Sequence, residues 1–98
     1  EYRYHLDAFD PETERGARCL QPRGQRLVTT LLYLNDVTEG GETHFQKLKV
    51  RVKAVQGRLT VFYNCFPHTV KRNPLLMHAG LPVKKGEKWA FNLWLRER

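Results

Sequence analysis

Four residues carry most of the chemistry open to this sequence. His5 and Asp7 stand two apart near its start, and His78 and Lys88 stand ten apart near its end. In an extended segment, residues i and i+2 project from one face about 6–7 Å apart, so an imidazole and a carboxylate can converge on one ion. His78 completes a set of two imidazoles and one carboxylate. Such a set grips a divalent metal from one side and leaves other positions open, which suits Fe(II) and equally a catalytic zinc. Lys88 adds a cation that can anchor an anion. A 2-oxo acid would chelate the metal through its carboxylate and keto oxygens, with a second carboxylate further along its chain paired to Lys88.

These residues need strands to hold them, and the sequence reads as almost entirely β. Segments Tyr2–Asp7, Arg26–Leu34, Thr43–Phe45, Lys49–Ala54, Arg58–Tyr63, Leu76–Val83 and Lys88–Arg96 have strand character, separated by turn-rich stretches. No helix of useful length is expected. Ala8–Gln25 carries Pro11, Gly16, Pro22 and Gly24 among many charges and reads as an exposed loop. Val83-Lys84-Lys85-Gly86-Glu87 reads as a tight hairpin turn, which would set His78 and Lys88 on neighbouring strands. In the last strand Trp89, Phe91, Leu93 and Leu95 share one face; Lys88, Ala90, Asn92, Trp94 and Arg96 share the other. The first face is wholly apolar, while the second mixes a cation, an amide and an indole, as a pocket lining does. Arg26–Leu34 is apolar on both sides and needs two covers. A sandwich or jelly roll supplies one, and the expected source of the second is helices preceding Glu1.

Composition limits the partners. At 98 residues the chain is at most one domain, and it is expected not to be a whole protein. The formal charge of +7 is spread over strand-like intervals and turns, which describes a solvated basic surface rather than a nucleic-acid footprint. No apolar run approaches the length of a membrane span, and no signal peptide is visible. Cys19 and Cys65 are too few for a disulfide framework and form no Cys-x-x-Cys pair, so a reducing, cytoplasmic setting is the default.

Several blocks in order carry a resemblance. His5-Leu6-Asp7, Leu32-Tyr33-Leu34-Asn35-Asp36-Val37, Glu39-Gly40-Gly41-Glu42-Thr43-His44-Phe45, His78-Ala79-Gly80 with Pro82-Val83, and Gly86-Glu87-Lys88-Trp89-Ala90 resemble the prolyl 4-hydroxylase branch of the 2-oxoglutarate- and Fe(II)-dependent dioxygenases. The similarity runs from Tyr4 to about Arg96. It implies a double-stranded β-helix, a jelly roll, whose N-terminal helices and first core strand precede this chain, so that residues 1–98 are the C-terminal, iron-binding part of a single catalytic domain. It also implies that His5, Asp7 and His78 hold Fe(II) and that Lys88 pairs with the distal carboxylate of 2-oxoglutarate. Tyr33 lines the same cosubstrate pocket by resemblance, with Thr43, Asn92 and Trp94 as second-rank contacts. O2 is the co-reactant, succinate and CO2 the products, and ascorbate a candidate auxiliary reductant. A peptidyl proline is the first expected substrate, with a free amino acid or other small molecule as the alternative.

Two further classes compete with this reading. A catalytically silent β-sandwich that binds a partner would be expected to lack a ligand or the anion anchor, and a hydrolytic zinc enzyme would leave Lys88 without a role. His44 and His68 match no ligand position of the family; the first reads as structural or surface, the second as a solvated loop residue.

Overall fold

The computed structural model describes residues 3–97. Tyr2, the first residue of the expected opening strand, lies outside the described residues, and of that strand one β-bridge is present, at His5. Strand β1 (Arg26–Tyr33) is the spine of one layer, flanked by β5 (Leu59–Tyr63) and β8 (Ala90–Arg96), both antiparallel to it. The second layer is centred on β3 (Thr43–Phe45), flanked by β4 (Val50–Val52) and β6 (His78–Gly80). A two-stranded ribbon of β2 (Glu39–Gly40) and β7 (Val83–Lys85) closes one end.

The two layers face each other through the inward side chains of their central strands. From β1 these are Thr29 and Tyr33, both buried, with partly buried Leu31 between them; from β3 they are Thr43 and Phe45. Tyr33 and Thr43 join across the gap through their hydroxyls, and Phe62 of β5 packs edge-on against Phe45 with ring centroids 5.0 Å apart. Tyr33, Val37 and Ala54 form the buried apolar centre, with Leu31, Val52 and Val83 against it. The all-β jelly-roll expectation therefore holds in its main lines.

One helix corrects it. Helix α1 (Glu14–Arg23) occupies the middle of the expected loop Ala8–Gln25. Thr13 caps it by accepting a hydrogen bond from the Gly16 amide at 2.9 Å, and Gly24 ends it at φ 76°. Gly16, which reads as a helix breaker, is instead a spacer. A Cβ there would lie 1.8 Å from the Asp10 carbonyl oxygen, so only glycine lets the first turn close on the preceding loop.

The expected strand Leu76–Val83 is also divided. Pro74–Leu76 is a turn of 3-10 helix, β6 pairs with β3, and after Leu81-Pro82 the chain leaves that sheet for the ribbon with β2. Pro82 cannot donate to a ladder, but its carbonyl accepts from the Gly41 amide at 3.0 Å. Gly40, at φ 81°, allows that approach, because a Cβ on it would stand 2.3 Å from the Pro82 oxygen. The expected hairpin joining the strands of His78 and Lys88 is therefore absent: β6 and β8 belong to opposite layers. Asn35 redirects the chain instead. Its Oδ1 accepts from the Trp89 amide at 2.8 Å, and its Nδ2 donates to the Glu87 carbonyl at 2.7 Å, feeding residues 87–89 into β8.

The face of β8 opposite the sandwich interior is open. Register sets Val61 and Leu93 on either side of Thr30, and Tyr63 and Leu95 on either side of Val28. Val61, Tyr63, Leu93 and Leu95 are 50%, 70%, 52% and 52% exposed, so nothing among the described residues covers this side of the sheet.

Candidate metal centre

His5 and His78 are brought together by the backbone. Each amide donates to the other's carbonyl, at 2.9 and 3.0 Å, as a reciprocal antiparallel pair. Residues directly opposite in such a pair project to the same face, and the two imidazole centroids lie 4.5 Å apart. Asp7 follows two residues later. Its Oδ1 is 3.2 Å from His5 Nε2 and 3.4 Å from His78 Nε2.

The other ring nitrogens explain this orientation. His5 Nδ1 donates to the Arg3 carbonyl at 2.9 Å, and His78 Nδ1 donates to the Leu76 carbonyl at 2.8 Å. A carbonyl only accepts, so each Nδ1 carries a proton and each neutral ring presents the Nε2 lone pair to the carboxylate. Lone pairs converging this closely repel unless a proton or a cation lies between them. Ligand atoms about 2.1 Å from an ion are about 3.0 Å apart at right angles and about 3.4 Å apart at the tetrahedral angle. The observed separations thus admit an ion with little movement of the side chains, and one donor atom from each of the three residues lies within 4.8 Å of the others.

Electrostatics agree with the geometry. Burial works to raise the Asp7 pKa, but hydrogen bonds from His5, His78 and Thr29 outweigh it and hold the carboxyl well below the usual range. The hydrogen bond to Asp7 raises the His5 pKa, partly offset by burial. His78 is enclosed by Phe62 at 4.9 Å and Phe45 at 5.3 Å between ring centroids. The His5 side chain is 47% exposed, against 7% for Asp7 and 10% for His78, so the centre opens on the His5 side.

Lys88 lies in the same interior by a different route from the one expected. It precedes β8 and reaches in from the opposite layer, with its ammonium 5.7 Å from the centroid of the Tyr33 ring. Tyr33 bonds Thr43, so Lys88, Tyr33 and Thr43 form one cluster. Four residues back along β1 is Thr29, whose hydroxyl donates to Asp7 Oδ2 at 2.7 Å; at strand rise that is about 13 Å along the backbone. On β3, Thr43 is one inward step from Phe45, which pairs with His78. Both layers therefore run from a metal end to a cationic end in the same direction. Burial lowers the Lys88 pKa, with Glu42 acting the other way, and burial raises that of Tyr33.

Asn92 and Trp94 do share the inward face of β8, opposite Leu31 and Thr29. Asn92 is exposed. Trp94 sits beside the metal end, its indole N–H donating to Asp7 Oδ2 at 3.3 Å. Sequence reasoning missed Thr29 and Asn64, which stand behind Asp7, although a hydroxyl on an otherwise apolar inward face of β1 was a sign. His44 points to neither end and bonds the Tyr4 hydroxyl; His68 is exposed in the loop after β5.

Comparison with known proteins decides between the metals that this donor set admits. Residues 1–96 match the family described as the 2OG-Fe(II) oxygenase superfamily. The chain belongs to that superfamily. A putative prolyl 4-hydroxylase of Acanthamoeba polyphaga mimivirus is 38% identical over 97 residues, which are 99% of this chain and 40% of that protein. Prolyl 4-hydroxylase subunit alpha-1 of Gallus gallus is 36% identical over 98 residues, covering 100% of this chain and 19% of that one. Among solved structures, the 2OG complex of the viral collagen prolyl hydroxylase vCPH of Paramecium Bursaria Chlorella virus-1 superposes with a TM-score of 0.81 at 38% identity, over 97% of this chain and 51% of that chain. The chain thus spans about two fifths of the mimiviral relative and about half of the viral structure.

Proposed function

We propose that the protein containing this chain is a prolyl 4-hydroxylase that couples oxidative decarboxylation of 2-oxoglutarate to hydroxylation of a peptidyl proline. The observation that carries the reading is the convergence of His5 Nε2, His78 Nε2 and Asp7 Oδ1 at one end of an interior whose other end holds Lys88. His5, Asp7 and His78 would hold Fe(II), and Lys88, with the hydroxyls of Tyr33 and Thr43 nearby, would take the distal carboxylate of 2-oxoglutarate. When bound there, Fe(II) and 2-oxoglutarate supply the oxidising chemistry: O2 is consumed, 2-oxoglutarate becomes succinate and CO2, and the substrate gains a hydroxyl.

The protein's own part is positioning and exclusion. The Arg3 and Leu76 carbonyls hold the imidazoles in the tautomer that offers Nε2. Phe45 and Phe62 keep water from the inner side of His78. Burial makes Lys88 a poorly hydrated cation, which favours a carboxylate partner over solvent. The exposed side of His5 is where substrate would approach, and the names of the relatives support a peptide there.

Incubating the full-length protein with Fe(II), 2-oxoglutarate and proline-containing peptides, and measuring succinate and peptide mass, tests the reading. Succinate together with a gain of one oxygen on proline is expected. A protein that binds zinc and yields no succinate with any iron loading would sink it. Succinate formation driven by a free amino acid, with unaltered peptides, would replace the substrate and leave the chemistry.

A further inference from the structure

Asp7 has two carboxylate oxygens, and the fold treats them differently. Oδ1 faces the two Nε2 atoms. Oδ2 accepts hydrogen bonds from Thr29 Oγ1 at 2.7 Å and Trp94 Nε1 at 3.3 Å. Both donors are themselves fixed. The Thr29 hydroxyl accepts from Asn64 Nδ2 at 2.8 Å, which leaves its own hydrogen for Asp7, and Asn64 is 2% exposed. The Trp94 ring is held from its face by the Arg26 guanidinium, 4.0 Å from the ring centroid, and Phe9 covers the same guanidinium at 4.5 Å. The loop after the first two ligands, β1, the residue that follows β5, and β8 thus all contribute to holding one oxygen atom.

We propose that Thr29 and Trp94 are positioning residues that keep Asp7 a one-oxygen ligand, so that the metal retains a coordination position for cosubstrate that a two-oxygen carboxylate would fill. This rests on the metal-centre reading above. A free carboxylate can chelate a divalent ion through both oxygens; one whose second oxygen already accepts two hydrogen bonds has to give them up to do so. Trp94 lies one inward position along β8 from Asn92 and two from Ala90, at the Asp7 end of the strand, where the indole reaches the carboxylate from behind.

The test uses the full-length protein loaded with Co(II), whose visible absorption responds to coordination number, and titrates 2-oxoglutarate into it. Variants are Thr29→Val, Thr29→Ser and Trp94→Phe. Thr29→Val and Trp94→Phe are expected to change the Co(II) spectrum and to weaken 2-oxoglutarate binding about tenfold, in keeping with the loss of outer partners at metal sites. Thr29→Ser, which keeps the hydroxyl, is expected to behave as the parent. Parent-like spectra and affinities in both Thr29→Val and Trp94→Phe would overturn the proposal, as would a Thr29→Ser variant that fails as Thr29→Val does. If Thr29→Val does not fold, the comparison of Trp94→Phe with parent decides alone. A parent protein that takes up no Co(II) would overturn the metal centre itself, a different failure from a parent that binds Co(II) and variants that match it.

Discussion

Lys88 enters the interior alongside the Tyr33 ring, and its environment makes its charge conditional. Burial lowers its pKa, so the ammonium loses its proton at a lower pH than a surface lysine does. Anion binding needs the charged form; 2-oxoglutarate affinity should therefore hold below that pKa and fall as pH rises through it. A titration of Kd against pH should show this alkaline loss in the parent and not in Lys88→Ala, whose affinity is weak throughout. In turnover, Lys88→Ala should raise KM for 2-oxoglutarate while metal content stays near that of the parent. Asp7→Asn and His78→Ala should instead abolish turnover through metal loss, seen directly as bound iron per protein. The three candidate ligands and Lys88 were legible in the sequence because ordered motif blocks accompany them. Thr29 and Asn64 were not, since Thr29 meets Asp7 and Asn64 meets Thr29 only across 22 and 35 residues of sequence.

At the scale of elements, the loops decide which strands become neighbours. Asn35 holds residues 87–89 with two side-chain hydrogen bonds. Asn35→Ala should loosen the segment that carries Lys88 and raise KM for 2-oxoglutarate more than it lowers kcat, which steady-state kinetics will separate. Helix α1 depends on its cap: Thr13→Ala should cost about 1 kcal/mol by denaturant unfolding with metal binding unchanged. The strands Arg26–Leu34 and Thr43–Phe45 were readable from strand-forming residues between turn-rich stretches, and the structure returns them within a residue. The helix was not readable, because Pro11, Gly16, Pro22 and Gly24 look like breakers until the Asp10 carbonyl shows what Gly16 is for. The hairpin was misread for a related reason: local turn residues at 84–87 say that the chain bends, but not which sheet it joins afterwards. Pro82, with its carbonyl taken by the Gly41 amide, settles that through a contact 41 residues distant.

For the molecule as a whole, the sandwich is buried on its inner side and bare on one outer side. Val61, Tyr63, Leu93 and Leu95 form a continuous apolar strip on the outer face of β5, β1 and β8, of the kind that drives association. The 98-residue chain on its own should self-associate, and Val61→Lys with Leu93→Glu should reduce that, as light scattering will show. The need for two covers was visible in the two-sided apolar pattern of β1. The reciprocal His5–His78 backbone pair has a further bearing on the whole chain. An ion shared by side chains from these two residues would act as a cross-link enclosing everything from position 5 to position 78. In the unfolded ensemble a link of that span removes loop entropy worth about 4 kcal/mol. Iron would then be a topological closure of the polypeptide as well as a reagent, and a chelator should lower the melting temperature while silencing the active centre.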